Sequence, residues 1–415
     1  MRWAPFFYSL TFLAWFWIAE SSPERVHAWV ALTVFQSVAW CYLFEGRARW
    51  SLNAIALALI VTLGVARAFA PIYEDDYRRY LWDAQAIRLG VSPYSVAPGA
   101  GASIQCDNES LPVAYGEYKT VYPPFAEALF TLLSVASNNN CSSFLFLLSI
   151  GGLSFFIAGF VRLLLRNGVA GPIQTAFLFL LHPLLLKEWV QSAHYDVWVA
   201  GAIVWALCAK NDLIRAVWVG VATQFKLVGI LLLGELSKKG LLVFSATLSF
   251  IWVLPIFHFQ DFFFSLFAFG RDWEMNAGIF RWMREALAWL APGSASTVAR
   301  ILGVLLCFAA TAWVELKRKK WSAIQRVYWI LFFAVIFSPI VNPWYFTWGL
   351  PLALFLPEKS RRWALLSYCA LPLSYLFYAP GSPERWWDLE HLLLLSCAAL
   401  SWRAAPVQSF EPIGR

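Results

Sequence analysis

The stretch SLNAIALALIVTLGVARAFAPIYEDDYRRYLWDA, residues 51–84, contains both features that decide the fold. Its first part is apolar over a length that can cross a hydrocarbon core of about 30 Å, so residues 50–71 predict a transmembrane helix. Its second part, residues 74–84, holds three adjacent carboxylates and two adjacent arginines. Charge that directly follows a span lies at the membrane surface, and polar groups there often mark function.

The rest of the chain repeats the apolar part. The 415 residues are 60% hydrophobic and 14% charged, with 24 Trp, 35 Phe and a mean hydropathy of +0.60, which is typical of a membrane protein. We therefore predict an all-α polytopic membrane protein that forms a single domain over residues 1–415. It has about 13 transmembrane segments, near residues 3–19, 28–45, 50–71, 144–165, 170–187, 195–209, 213–236, 240–258, 298–315, 322–340, 343–357, 362–379 and 387–402.

The charges between these segments predict the orientation. A pI near 9 is explained by basic cytoplasmic loops rather than by nucleic acid. All the basic loops are cytoplasmic if residues 216–236 enter the membrane, break at Lys226 and return to the same side. Such a broken segment is tolerated where its backbone lines a cavity within the protein. This topology makes residues 72–143 the first outer loop and residues 259–297 the second.

Two cysteines lie outside the predicted spans, and they bracket the first outer loop. Cys106 and Cys141 predict a disulfide if the outside is oxidising. The alternative is two unpaired thiols.

Residues 74–84 predict a helix with a polar face. Asp76, Arg79, Tyr80 and Asp83 follow the i, i+3, i+4, i+7 spacing of one helical face. A surface helix with an Arg79–Asp83 ion pair is the simpler interpretation, and a site beside the membrane is the functional one.

Four further polar stretches fall on the same predicted side of the membrane. Residues 182–198 hold His182, Lys187, Glu188, His194 and Asp196, and a regular helix would place Lys187, Gln191 and His194 on one face. Interfacial snorkelling is the alternative there. The others are the lone Lys226, residues 269–280 (FGRDWEMNAGIF) and the aromatic residues 342–348 (NPWYFTW). One outer site that binds a phosphate head with cations and a lipid tail between helices would use all of them.

These stretches resemble GT-C glycosyltransferases, and in particular bacterial polyprenyl-phosphate-mannose-dependent mannosyltransferases. The similarity covers roughly residues 65 to 360 and is carried, in order, by DDYRRYLWDAQAIRLGVSPYSVAP (75–98), YPPFAEALF (122–130), HPLLLKEWVQSAHYD (182–196), TQFKLVGILLL (223–233), RDWEMNAGIF (271–280) and SPIVNPWYFTW (338–348). The resemblance implies a GT-C fold with juxtamembrane helices in the first outer loop, one of them catalytic.

The resemblance also implies a reaction. A sugar, expected to be mannose, passes with inversion from a polyprenyl-phosphate donor to an acceptor hydroxyl on the extracytoplasmic face. Asp76 is the expected general base, with Asp75 as the alternative. The residues expected to bind the donor phosphate or the sugar are Arg78, Arg79, His194, Asp196, Lys226, Trp344 and Tyr345.

The expected partners are the polyprenyl-phosphate sugar, a glycan, glycolipid or protein acceptor, and the bilayer, with no nucleic acid. The paired acids leave a divalent metal open, although no set of His and Asp ligands demands one, and no other cofactor is expected. The predicted location is the bacterial inner membrane, with the site facing the periplasm or exterior. A transporter or flippase of a lipid-linked sugar is the alternative function, since it would also need a polar cavity and a broken helix.

Overall fold

The computed structural model describes residues 3–21, 25–46, 50–68, 71–107, 109–138, 140–252, 259–379 and 385–404. These residues are mostly helical, which confirms the all-α class apart from one small hairpin. The helices are α1 (Ala4–Ser21), α2 (Val26–Glu45), α3 (Leu52–Ala68), α4 (Asp76–Arg88), α5 (Pro124–Ala136), α6 (Cys141–Arg166), α7 (Pro172–Leu180), α8 (Pro183–Leu185), α9 (Asp196–Cys208), α10 (Asp212–Phe225), α11 (Lys238–Trp252), α12 (Phe259–Asp272), α13 (Gly278–Ala288), α14 (Ala295–Glu315), α15 (Ala323–Ile336), α16 (Leu350–Ala353), α17 (Glu358–Tyr368) and α18 (Arg385–Arg403).

Three described helices, α2, α6 and α14, are long and apolar enough to cross a membrane. A fourth crossing results if the pair Pro172–Leu180 and Pro183–Gln191, bent by 65°, is one broken span. Most other predicted spans correspond to shorter or interrupted helices, so the total of about 13 stays a prediction.

The helix break predicted at Lys226 is confirmed. Helix α10 ends at Phe225, and Lys226 is extended, with φ −157° and ψ 135°. The chain continues as a 3-10 helix over Leu227–Glu235. A Cβ atom on Gly229 would lie 2.3 Å from the backbone nitrogen of Thr223, so the 3-10 helix packs directly on the backbone of α10.

The chain divides into two compact units. The terminal unit comprises Met1–Trp50, His182–Leu184 and Trp273–Arg415, and the central unit comprises Ser51–Leu181 and Leu185–Asp272. Organisation as a single domain stays a prediction.

In the central unit, small residues let helices α6 and α9 approach closely. A Cβ atom on Gly152 would lie 2.3 Å from Val197 Cγ1, and one on Gly201 would lie 2.6 Å from the Phe155 ring. The Trp198 indole donates a hydrogen bond to the Leu148 carbonyl across the same contact, at 3.0 Å. Close packing of small residues is the usual way in which membrane helices associate, and here it fixes α9, which begins at Asp196.

A hairpin in the central unit is attached covalently to α6. Strand β1 (Ser103–Cys106) pairs antiparallel with β2 (Glu109–Pro112), with Ser103 opposite Pro112. Cys106 and Cys141 form a disulfide. This is one of the two alternatives that the sequence left open, the other being two unpaired thiols. The Asp107 carboxylate accepts hydrogen bonds from the Cys141 amide at 3.2 Å and the Ser142 hydroxyl at 2.9 Å.

In the terminal unit, two stretches singled out in the sequence meet. The Met275 amide donates to the Pro339 carbonyl at 3.1 Å, and the Val341 amide donates to the Met275 carbonyl at 2.9 Å. The Asn276 side chain donates to the Val341 carbonyl at 3.1 Å and to the buried Glu390 carboxylate at 3.2 Å. Residues 273–280 and 338–348 are therefore neighbours within this unit.

Candidate active site

The polar helix predicted over residues 74–84 begins at Asp76 and runs to Arg88 as α4. Two hydrogen bonds attach the chain before it to residues 190–191. The Ile72 amide donates to the Gln191 side-chain oxygen at 3.0 Å, and the Arg67 guanidinium donates to the Val190 carbonyl at 3.0 Å. The start of α4 thus lies beside the polar stretch 186–196, which is distant in sequence.

That stretch is not the regular helix that the sequence predicted. Leu186–Gln191 form a π-helix, and His194 lies beyond it, after Ala193 with a φ of 54°. The expectation that Lys187, Gln191 and His194 share one helical face is therefore wrong, because the helix widens and ends before His194. Single π-helical turns occur frequently at functional sites.

His194 is fully buried between two carboxylates. Its Nδ1 lies 2.8 Å from Glu188 Oε2, and its Nε2 lies 3.7 Å from Asp76 Oδ2. Glu188 is fully buried, whereas the Asp76 side chain keeps 33% of its surface exposed. Asp76 is therefore attached to the protein on one side and open on the other.

A lysine–aspartate pair adjoins this group. Lys226 Nζ lies 2.9 Å from Asp196 Oδ1 and 5.2 Å from the centre of the Tyr195 ring. The Tyr195 ring in turn packs against the Tyr80 and Tyr122 rings at 5.5 Å each. A cation over an aromatic face gains about 0.5–1 kcal/mol at exposed sites, so the ring and the carboxylate together orient Lys226.

The two arginines of α4 are occupied by local contacts. Arg79 Nε lies 2.9 Å from Asp83 Oδ1, and its guanidinium donates to the Tyr118 carbonyl at 2.7 Å. Arg78 lies 3.3 Å from Asp75 and donates to the Pro112 carbonyl at 3.2 Å. The structure therefore contains the simpler Arg79–Asp83 pair, and a role for either arginine in binding phosphate stays a prediction.

Burial and neighbouring charges shift the pKa of three groups in the cluster. It raises the pKa of Glu74 to about 8, which the charges of Lys187 and His194 oppose. It raises the pKa of Asp76 above its usual value against the opposite effects of His194 and Lys226. Burial lowers the pKa of His194, but the hydrogen bond and charge of Glu188, with the charges of Asp76 and Glu74, outweigh it, so this pKa is raised overall. A raised carboxylate pKa near a cation is typical of acid–base sites.

The remaining predicted residues lie in the terminal unit. Trp344 and Tyr345 belong to the 3-10 helix Pro343–Trp348, with their ring centres 5.9 Å apart. The His182 ring packs on the Trp40 indole at 4.6 Å. A sugar-stacking role for Trp344 and Tyr345 stays a prediction.

A metal site is not evident in the part of the chain that the structure describes. Within it, no group of three or more His, Cys, Asp and Glu side chains is arranged to hold a metal ion.

Sequence reasoning did not assign Glu74 or Glu188 to the site. Of the three adjacent carboxylates, the sequence singles out Asp76 and Asp75, and Glu188 is only one of several polar groups in residues 182–198. The signal that could have found Glu188 is an acid between apolar residues in LLLKEWV, residues 184–190, since such an acid needs a partner.

Comparison with known proteins matches two family models to the chain. Residues 5–238 match the model described as alpha-(1->6)-mannopyranosyltransferase, N-terminal domain, and residues 279–405 match the MptB C-terminal domain. Alpha-(1->6)-mannopyranosyltransferase A of Mycobacterium tuberculosis (strain ATCC 25618 / H37Rv) is 22% identical over 371 residues, which cover 80% of this chain and 71% of that protein. No solved structure matches the chain.

Proposed function

The chain belongs to the alpha-(1->6)-mannopyranosyltransferase family, and from this we propose that it transfers mannose, with inversion, from a polyprenyl-phosphate donor to an acceptor hydroxyl. The resemblance to mannosyltransferases seen in the sequence is thereby confirmed. The apolar helices make the chain a membrane protein. The donor, the stereochemistry and the side of the membrane are our proposal.

One observation carries the assignment of the site. Asp76 has a partly exposed side chain and a buried histidine at 3.7 Å, and the charge of Lys226 acts on it. A base and a cation in one polar cluster are the two groups that sugar transfer from a phosphate donor requires. They come from parts of the chain about 150 residues apart, in a protein whose other helices are largely apolar.

In the proposed reaction, the acceptor hydroxyl approaches the exposed side of Asp76. Asp76 accepts the hydroxyl proton as the acceptor oxygen forms a bond to the anomeric carbon. The bond from that carbon to the phosphate oxygen breaks on the opposite face, and the phosphate leaves with the electron pair. General-base catalysis of this kind contributes about 10²–10⁴ in rate.

Lys226 has the complementary role of stabilising the leaving phosphate. Its side chain is 21% exposed, so its ammonium can bind a phosphate oxygen while Asp196 and Tyr195 keep it in place. A fixed cation where charge develops stabilises the transition state more than it stabilises the ground state.

The proposal includes a GT-C fold with about 13 spans in a bacterial inner membrane and a site on the periplasmic or exterior face. Two features support this orientation: basic residues concentrate in the loops predicted to be cytoplasmic, and the Cys106–Cys141 bridge suits an oxidising compartment. The acceptor is a glycan, glycolipid or protein.

The donor class is tested with purified protein in lipid nanodiscs. We expect release of polyprenyl phosphate from polyprenyl-phosphate mannose with an acceptor present, and no reaction with a nucleotide mannose. Lys226→Gln should slow transfer at least tenfold, while Lys239→Gln, in the next helix, serves as a control. Turnover of the nucleotide sugar alone would contradict the donor class. With the protein reconstituted in sealed vesicles, movement of the intact donor across the bilayer without transfer would favour the transporter.

A further inference from the structure

Glu188 is a buried acid to which the reaction above assigns no role. Its side chain is fully buried, and its Oε2 lies 2.8 Å from His194 Nδ1. Within the described residues its other oxygen, Oε1, has no hydrogen-bond partner. An ionised carboxylate in such a place is costly unless a cation is paired with it, so Glu188 favours a positively charged His194.

The backbone is built to bring these two residues together. The π-helix Leu186–Gln191 includes Glu188, and the His194 amide donates to the Glu188 carbonyl at 2.8 Å. The return requires Ala193 to adopt a φ of 54°, a left-handed conformation that non-glycine residues rarely adopt. The loop therefore adopts a backbone conformation that is unfavourable for Ala193, and this conformation brings His194 into contact with Glu188.

We propose that Glu188 is a positioning residue that holds His194 as an imidazolium beside Asp76 and so keeps Asp76 ionised at neutral pH. The inference rests on the proposed function, in which Asp76 is the base. A carboxylate that orients an imidazole and stabilises its charged form is a recurring arrangement in enzymes. Here the charge of His194 opposes the burial that raises the pKa of Asp76.

Some of the neighbouring charges favour the charged forms of His194 and Asp76, and others oppose them. Asp76 and Glu74 face His194 from α4 and the chain before it, and both favour its charged form. Around Asp76, Lys226 favours the carboxylate, whereas Asp75 and Asp196 oppose it. Lys187 adjoins Glu188 in sequence and donates to the Ser192 hydroxyl. Of these groups, His194 approaches Asp76 to 3.7 Å between Nε2 and Oδ2.

The first test measures the histidine directly and does not need activity. The five histidines are labelled with ¹⁵N in nanodisc-embedded protein, and His194 is assigned from the signal lost in His194→Gln. We expect Glu188→Gln to lower the titration midpoint of His194 by at least one pH unit, and Glu188→Asp to restore most of it. An unchanged midpoint in Glu188→Gln would overturn the pairing.

The second test measures kcat/KM for mannosyl transfer between pH 4.5 and 8.5. Asp76 must be deprotonated to act, so loss of the neighbouring cation should move the acid limb to higher pH. Glu188→Gln and His194→Gln should shift it in the same direction by about one unit, and the double variant should shift it no further. Above the limb, the rate of Glu188→Gln should return to within a few-fold of the wild-type rate.

A merely structural role predicts a different pattern. It would reduce kcat/KM by the same factor at every pH, and an unshifted acid limb would overturn the proposal even if His194 titrates as expected. If the wild-type protein transfers no mannose from the lipid donor, the proposed function fails by itself, and the titration still decides the pairing.

Discussion

Asp76 has two sides with different neighbours. One side contacts a buried histidine, and the other is open, with 33% of the side-chain surface exposed. Glu74 and Asp75 directly precede it, but burial raises the pKa of Glu74 to about 8, and Asp75 is in an ion pair with Arg78. The three adjacent acids therefore have different surroundings, and Asp76 is the one that lies beside the buried His194.

Replacing Glu74 by glutamine should change little near pH 7. The wild-type group is largely protonated below its pKa of about 8, and the glutamine amide resembles this neutral acid in size and charge. We expect a mannosyl-transfer rate within about twofold of wild type at pH 6–7. At one pH unit below its pKa, the ionised form of an acid is only about a tenth as populated as the protonated form. A loss of a hundredfold in this variant would mean that Glu74 is ionised and acts as the base.

At the scale of the elements, the site depends on two interruptions of helical structure. The break after α10 presents Lys226 in extended backbone, and the π-helix Leu186–Gln191 presents Glu188. Each interruption places its side chain in a position that a continuous helix would not provide.

Gly229→Ala tests the break after α10. The added Cβ would lie 2.3 Å from the Thr223 nitrogen, so the 3-10 helix must move away from α10 and displace Lys226 with it. We expect a lower Tm and at least a tenfold slower transfer. Gly64→Ala in α3 is the matched control, because its Cβ meets nothing within 4 Å and alanine stabilises a helix by about 1 kcal/mol relative to glycine. Equal behaviour of the two variants would contradict the role of the break.

The two interruptions also differ in how far sequence could predict them. A lone lysine in an apolar segment indicated the break at Lys226, because orientation by charge required the chain to turn there. Helix α4 and its Arg79–Asp83 pair followed from the spacing of polar residues. The π-helix could not be predicted, since an extra residue in a turn leaves no compositional signal, and the pairing of Glu188 with His194 depends on it.

At the scale of the whole molecule, the account requires the first long polar stretch to lie outside the cytoplasm. The Cys106–Cys141 bridge attaches hairpin β1–β2 to the start of α6, and the Pro112 carbonyl at the end of that hairpin accepts a hydrogen bond from Arg78. The bridge and the site therefore belong to the same side of the membrane.

Thiol labelling in intact spheroplasts tests this orientation. Cys141→Ser frees Cys106, which is partly exposed, and a membrane-impermeant maleimide should then label the protein without detergent. The wild-type protein, in which both sulfurs are in the bridge, gives the background from the other cysteines. Labelling of the variant above this background only after the membrane is permeabilised would place the loop in the cytoplasm.

The central claim, that Asp76 is the base of a mannosyltransferase, is tested most directly by comparing Asp76→Asn with Asp75→Asn. Each purified variant is assayed for mannosyl transfer from polyprenyl-phosphate mannose and, separately, for donor binding. We expect Asp76→Asn to bind the donor as the wild-type protein does but to transfer mannose about 10²–10⁴ times more slowly, while Asp75→Asn loses less than tenfold. Transfer by Asp76→Asn at the wild-type rate would show that Asp76 is not the base.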